Sequence, residues 1–183
     1  MARWQRVKWT EAGQVIDLPE ADPQAREAPE AYFERLRQAG RLTDAAFFLG
    51  RALPRHETVA WAARTVRDLP DPEAKRQDAD ALKAALLWVQ DPSEPRRRAA
   101  YDAANAATNH SAEQMAALAA FFSGGSMAPE GCDPVQAPMD AAGTFAAGAV
   151  VIAAARTGDI NAALAKGLDA GARIAEKGLA TDA

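Results

Sequence analysis

DPEAKRQDADALKAALLWVQDP, from Asp71 to Pro92, decides how the rest of the chain is read. Its acidic residues come early, where a helix dipole favours negative charge. Leu82, Ala85, Leu86 and Val89 then recur at helical spacing and share one face, the strongest amphipathic signal in the sequence, before Pro92 closes the helix. Trp88 falls away from that face, with Ala81 and Ala84 beside it, so the helix has a second apolar side. Such a helix is either sandwiched between layers of a stacked helical array or displays an aromatic anchor to a partner.

The preceding stretch, PRHETVAWAARTVRDLP, repeats the pattern. Proline stands at its start, Val59, Ala62, Ala63 and Val66 form a stripe, and Trp61 lies almost opposite. For 183 residues the layered arrangement is the preferred reading of both tryptophans. Further toward the N-terminus, Glu30 to Ala39 forms a helix with Phe33 and Leu36 inward, stopped by Gly40. Thr43 is the expected N-cap of the next helix, whose apolar positions are Ala46, Leu49, Gly50 and Leu53. Residues 1–29 hold Pro19, Pro23 and Pro29 and little periodicity. They read as an irregular arm, with a short hairpin conceivable around Glu11 to Gly13, and with Trp4 and Trp9 docked on the chain's own helices or on a partner.

Beyond Pro92, Ser93 is positioned to cap a helix that tolerates Pro95 in its first turn and ends near Asn109. SAEQ, Ser111 to Gln114, has the spacing of a capping box for the next, with Met115, Leu118, Ala119 and Phe122 as its inner face. Gly124 and Gly125 stop that helix, and a loop with three prolines runs from Ser126 to Pro138. The helix from about Asp140 to Arg156 is small or apolar nearly all round, which marks it as central. The last, from about Ile160 to Leu179, turns Ile160, Leu164, Leu168 and Ile174 inward. Its Gly167 and Gly171, one turn apart, suit close crossing.

The fold class is therefore all-α: one domain of seven to eight packed antiparallel helices over residues 30–183, with stacked hairpins as one arrangement, and the arm over 1–29. Alanine makes up roughly a quarter of the chain against 7% aromatic residues, which favours helix over strand. Net charge is -4, giving no electrostatic reason to expect nucleic acid or an anionic membrane. A single cysteine makes no internal disulfide, and with two histidines it is too little for structural zinc. No metal or other cofactor is expected. The N-terminus lacks the apolar core of a secretory signal, and the apolar window Ala141 to Ala155 falls short of the ~20 residues that span a bilayer. A cytoplasmic protein with no membrane span is the expectation.

Candidate chemistry is sparse. His56 and His110 have no i, i+4 partner suited to a metal. Cys132 sits in PEGCDP, where Glu130 and Asp133 oppose thiolate formation. SGGS, Ser123 to Ser126, lies at a helix C-terminus, where the dipole is unfavourable for phosphate. Arg96, Arg97 and Arg98 near a helix N-terminus also oppose the dipole, so they need acidic neighbours such as Asp91 or Glu94, or a partner.

Three stretches, ALPRHETVAWAARTV (52–66), WVQDPSEPRRRAAYDAA (88–104) and AALAAFFSGGSMAP (116–129), resemble a bacterial helical family of unknown function. The resemblance covers about residues 40 to 175. It implies no activity, and an association with type VI secretion gene neighbourhoods that suggests an adaptor or accessory role. The family pattern often has cysteine near the tryptophan of the first stretch, where this chain has alanine.

These readings converge on a non-catalytic, cytoplasmic protein–protein interaction module, an adaptor or accessory of a bacterial secretion system. Another protein is its expected partner, and Trp61, Trp88, Arg96, Arg97 and Arg98 are its expected contacts. The alternative is an enzyme or small-molecule binder built on the loop Ser123 to Cys132 with His56 or His110. A cleft that joins the loop to a histidine would favour it.

Overall fold

The computed structural model describes residues 4–129 and 131–179; Glu130, set beside Cys132 in the sequence, lies outside them. A short helix α1 (Ala12–Val15) and a 3-10 turn (Pro23–Arg26) precede α2 (Pro29–Gln38), α3 (Leu42–Ala52), α4 (Arg55–Asp68) and α5 (Arg76–Gln90). They are followed by α6 (Glu94–Ala106), α7 (Ala112–Phe122), α8 (Ala141–Ala155) and α9 (Ile160–Lys177). The described residues contain no strand, only an isolated antiparallel bridge between Ser126 and Gln136. The all-α expectation holds, with the eight helices α2 to α9 in the packed body. None of the described helices is long and apolar enough to cross a membrane.

Prolines and glycines set most boundaries where the sequence placed them. Pro54 occupies the N-cap of α4 with extended backbone, Pro95 falls in the first turn of α6, and Gly40 adopts a positive φ of 71° after α2. Two boundaries differ. Arg41, not Thr43, is the N-cap residue of α3, leaving Thr43 in its first turn. Helix α6 stops at Ala106 because Asp78 of α5 draws the chain away: its carboxylate accepts from Thr108 N at 2.6 Å and Thr108 Oγ1 at 2.9 Å. Burial alone would raise the Asp78 carboxyl, but these bonds and one from Lys75 N hold it below its ordinary value.

Helix α8 is the hub, packed on α3, α4, α7 and α9. Its Ala142, Gly143, Ala146, Ala147, Ala149, Val150, Ala153 and Ala154 are all buried. Side chains this small let α3 touch it backbone to backbone: a Cβ on Gly143 would stand 2.6 Å from Gly50 O, and one on Gly50 the same distance from Gly143 O. Gly171 of α9 is equally committed, lying against Leu49 and the indole of Trp61.

The stripe of α5 is turned relative to expectation. Asp78, Ala81, Ala85 and Trp88 are its buried residues, whereas Leu82, Leu86 and Val89 are half-buried against the rim of the core. With two apolar sides available, the body took the one where alanines admit α6 and α7 closely. Met115, Leu118 and Phe122 of α7 are likewise half-buried, and its interior is Ala116, Ala117, Ala119, Ala120 and Phe121. Ile160, expected inward, is exposed at the first turn of α9.

Around Glu11 to Gly13 the arm forms a helical turn rather than a hairpin, because Gln14 Oε1 accepts from Thr10 N and Glu11 N and closes a capping box. Trp4 is buried against Phe33 and Phe48, and Arg6 ties the arm to Glu57 of α4 and Ala175 O of α9. Trp9, by contrast, is 44% exposed.

Candidate functional site

Helix α7 ends with carbonyls that have no partner within the helix, as every helix does. Here they are claimed by arginines from the start of α6. Arg97, 3% exposed, donates from Nη1 to Phe121 O and from Nη2 to Ser126 O, both at 2.7 Å. Its guanidinium lies 4.6 Å over the Phe121 ring. Arg98 donates to Ser126 O at 3.0 Å and Ala128 O at 2.7 Å. Glu94 receives both arginines, at 2.6 Å from Arg97 Nε and 2.9 Å from Arg98 Nε. The bonds from Arg97 lead the causes that outweigh burial and hold the Glu94 carboxyl down at about 2. Arg96 points away, half exposed, 3.7 Å from Asp91.

Gly125 completes the turn with a positive φ of 66°, and a Cβ there would meet the Arg97 guanidinium at 2.8 Å. Beyond it, Ser126 Oγ accepts from Ala128 N and Val135 N at 3.0 Å each, folding the loop back on itself.

A cleft of about 320 Å³ opens beside this clamp, lined by Arg55, His56, Trp88, Pro92–Glu94, Arg97 and Ser123–Gly125. It joins the first turns of α4 and α6 to the last turns of α5 and α7. Neither α4 nor α6 has a side chain capping its first turn. Val89 O can only accept, so the 2.9 Å contact with His56 Nε2 puts a proton on that nitrogen. The imidazole lies 5.6 Å from the Trp88 ring. Ser123 Oγ donates to Ala120 O at 2.7 Å, and Arg55 Nη1 donates to Ser123 O at 3.2 Å. A larger recess of about 480 Å³ lies on the other side of Arg55, lined by Trp9, Gly50, Arg51, Met139 and Gly143 among others.

The structure sorts the candidates read from the sequence unevenly, with Trp88 and Arg97 in the cleft, Arg98 at its clamp and Arg96 outside. Trp61 is 1% exposed and serves the core: its Nε1 donates to Gly167 O at 2.7 Å. Trp88 is 6% exposed, so both tryptophans are sandwiched in the body. Of the histidines, His56 meets the loop, while His110 sits with φ 63° in the turn at the other end of α7. Eleven residues of helix, at about 1.5 Å each, separate those ends. Cys132 is exposed and does not line the cleft. No group of three or more His, Cys, Asp or Glu suited to a metal occurs among the described residues. Sequence reasoning passed over Arg55, although it opposes the dipole of α4 just as the three arginines oppose that of α6.

The geometry describes an all-α domain with a preformed cationic cleft at the ends of four helices. Over residues 32–175 the chain matches the model of a family of unknown function, DUF6931, and it belongs to that family. No curated protein matches the chain, and no solved structure matches it either.

Proposed function

We propose that this protein is a non-catalytic interaction module that holds another protein at the cleft between α4, α5, α6 and α7. The observation that carries this reading is how the polar groups there are employed. Arg97 and Arg98 hold the loop, Glu94 holds both arginines and Ser123 Oγ is spent on Ala120 O, which makes a recess whose shape precedes any ligand. A preformed recess lowers the ordering cost of binding. The three stretches that carry the family resemblance, far apart in sequence, all contribute to it. We read the protein as cytoplasmic and its partner as a component of a bacterial secretion machine, a reading supported only by the resemblance to proteins of type VI secretion neighbourhoods.

The test is affinity purification of the tagged chain from its host, followed by size-exclusion chromatography. A stoichiometric protein partner, lost when Gly124→Trp, whose Cβ would enter open space in the cleft, fills it in a folded variant, supports the reading. Capture unchanged by that variant refutes it. One observation favours a second reading, that of a small-molecule site: the cleft joins His56 to Ser123–Gly125. A metabolite that raises the melting temperature of the isolated chain, with no co-purifying protein, would select it.

A further inference from the structure

Arg55 and Arg97 line the cleft, Arg98 stands at its clamp and Arg96 lies outside, and they differ in what they already hold. Arg97 and Arg98 share Glu94 and take three backbone carbonyls between them, one of α7 and two of the loop, and Arg96 faces Asp91. Arg55 has no carboxylate partner among the described residues, and its one hydrogen bond there goes to a backbone carbonyl, Ser123 O. At the cleft and its clamp, then, three guanidinium groups, Arg55, Arg97 and Arg98, meet one carboxylate, Glu94, a surplus of two positive charges on a chain whose net charge is -4. Glu94 already receives two of them. His56 adds a ring whose Nε2 is committed to Val89 O and whose Nδ1 has no hydrogen-bond partner among the described residues.

We infer that the cleft receives a carboxylate from an acidic segment of the partner protein, with Arg55 as its counter-ion. The inference rests on the binding reading above and names the chemistry recognised there. Arg55 suits the role because a guanidinium can present two parallel N–H donors to a carboxylate. Among the described residues, Nη1 is the donor engaged, by Ser123 O. That bond ties the side chain to the cleft, which Arg55 lines, and leaves its other donors available. Arg97 and Arg98, two cations on the single carboxylate of Glu94, add positive potential without having to move.

The experiment uses the full chain, labelled with 15N, and three probes: the blocked peptide acetyl-Ala-Glu-Glu-Ala-amide, its Gln-Gln counterpart, and inorganic phosphate. Saturable shifts of the Arg55 Nε–H and His56 signals by the Glu peptide, with binding about tenfold weaker for the Gln peptide and for Arg55→Gln, support the inference. Arg55→Lys keeps the charge and is expected to retain most of the affinity. Equal loss in the Lys and Gln variants would show that the tie to Ser123 is what matters, and would overturn it. So would the absence of shifts at the cleft. Phosphate binding more tightly than the Glu peptide would assign a free-anion site instead, and also overturns it. If Gly124→Trp releases a co-purified partner but Arg55→Gln does not, the interaction module stands and the carboxylate inference falls.

Discussion

Two regions of this molecule solve the same problem of bringing helices together by opposite means. Where α3, α8 and α9 cross, side chains are removed: Gly50, Gly143 and Gly171 let backbone meet backbone or an indole ring. At the junction of α6, α7 and the following loop, side chains are enlarged, and Arg97 and Arg98 reach across to carbonyls that no helix partner satisfies. The first contact has no slack. The second is a set of directed bonds around space that remains open. The lesson is that the glycine-lined core holds the shape while the arginine-held end keeps a cleft.

The sharpest way to break the first region is Gly143→Ala. Its Cβ would meet Gly50 O at 2.6 Å and Arg51 N at 3.2 Å, both backbone atoms that cannot swing aside. A loss of about 4 kcal/mol in chemical denaturation, beyond the usual cost of overpacking, is expected. Next comes Glu113→Ala. Glu113 is buried and accepts from Arg156 Nη1 at 2.8 Å, while Arg156 also donates to Leu69 O. Losing that buried carboxylate leaves Arg156 only the more exposed Asp71, 3.7 Å away, and should cost about 3 kcal/mol, read in the same denaturation experiment.

The second region is sharpened by comparing neighbours on one helix. Arg97→Ala strips the bonds to Phe121 O and Ser126 O and should destabilise by about 2 kcal/mol. That figure rests on the carbonyl bonds, because the half-exposed Glu94 contributes a solvent-screened pair. Amide exchange in residues 123–128 should rise with it. Arg96→Ala should change stability by no more than about 0.5 kcal/mol, since its ion pair with Asp91 is exposed. The smallest effect is a slope. With its carboxyl lowered from 4.5 to about 2 in the folded state, Glu94 stabilises the protein above pH 4.5 and loses that contribution as pH falls toward 2. Glu94→Gln should flatten the decline of melting temperature across that window.

Much of the helical layout was legible because its punctuation is local. Pro54, Pro92, Gly40 and the Gly124–Gly125 pair act on their own backbone, and the helices stop where they stand. Facing was less legible. In α5 either Leu82/Ala85/Leu86/Val89 or Trp88 with Ala81 and Ala84 makes a valid apolar side, and only the neighbours decide that Ala81, Ala85 and Trp88 go inward. Ile160 shows the same limit at a helix end, where one exposed turn escapes the core. Of the cleft, the pieces were visible separately: the arginines that oppose a dipole, the glycine turn, His56. Their meeting depends on α4 lying beside α5 and α7, and no short-range spacing encodes that. The burial of Trp61 depends on Gly167 and Gly171, more than a hundred residues away in sequence, offering it a carbonyl and a gap.

The four tryptophans divide unequally: Trp4, Trp61 and Trp88 are buried, and Trp9 stands partly in solvent at the mouth of the 480 Å³ recess. This partition makes the protein its own optical probe. Iodide or acrylamide in the solvent will quench the Trp9 emission first, leaving the blue-shifted light of the three interior indoles. The quenchable fraction therefore reports whether the recess beside Arg55 is open or covered, with no label attached.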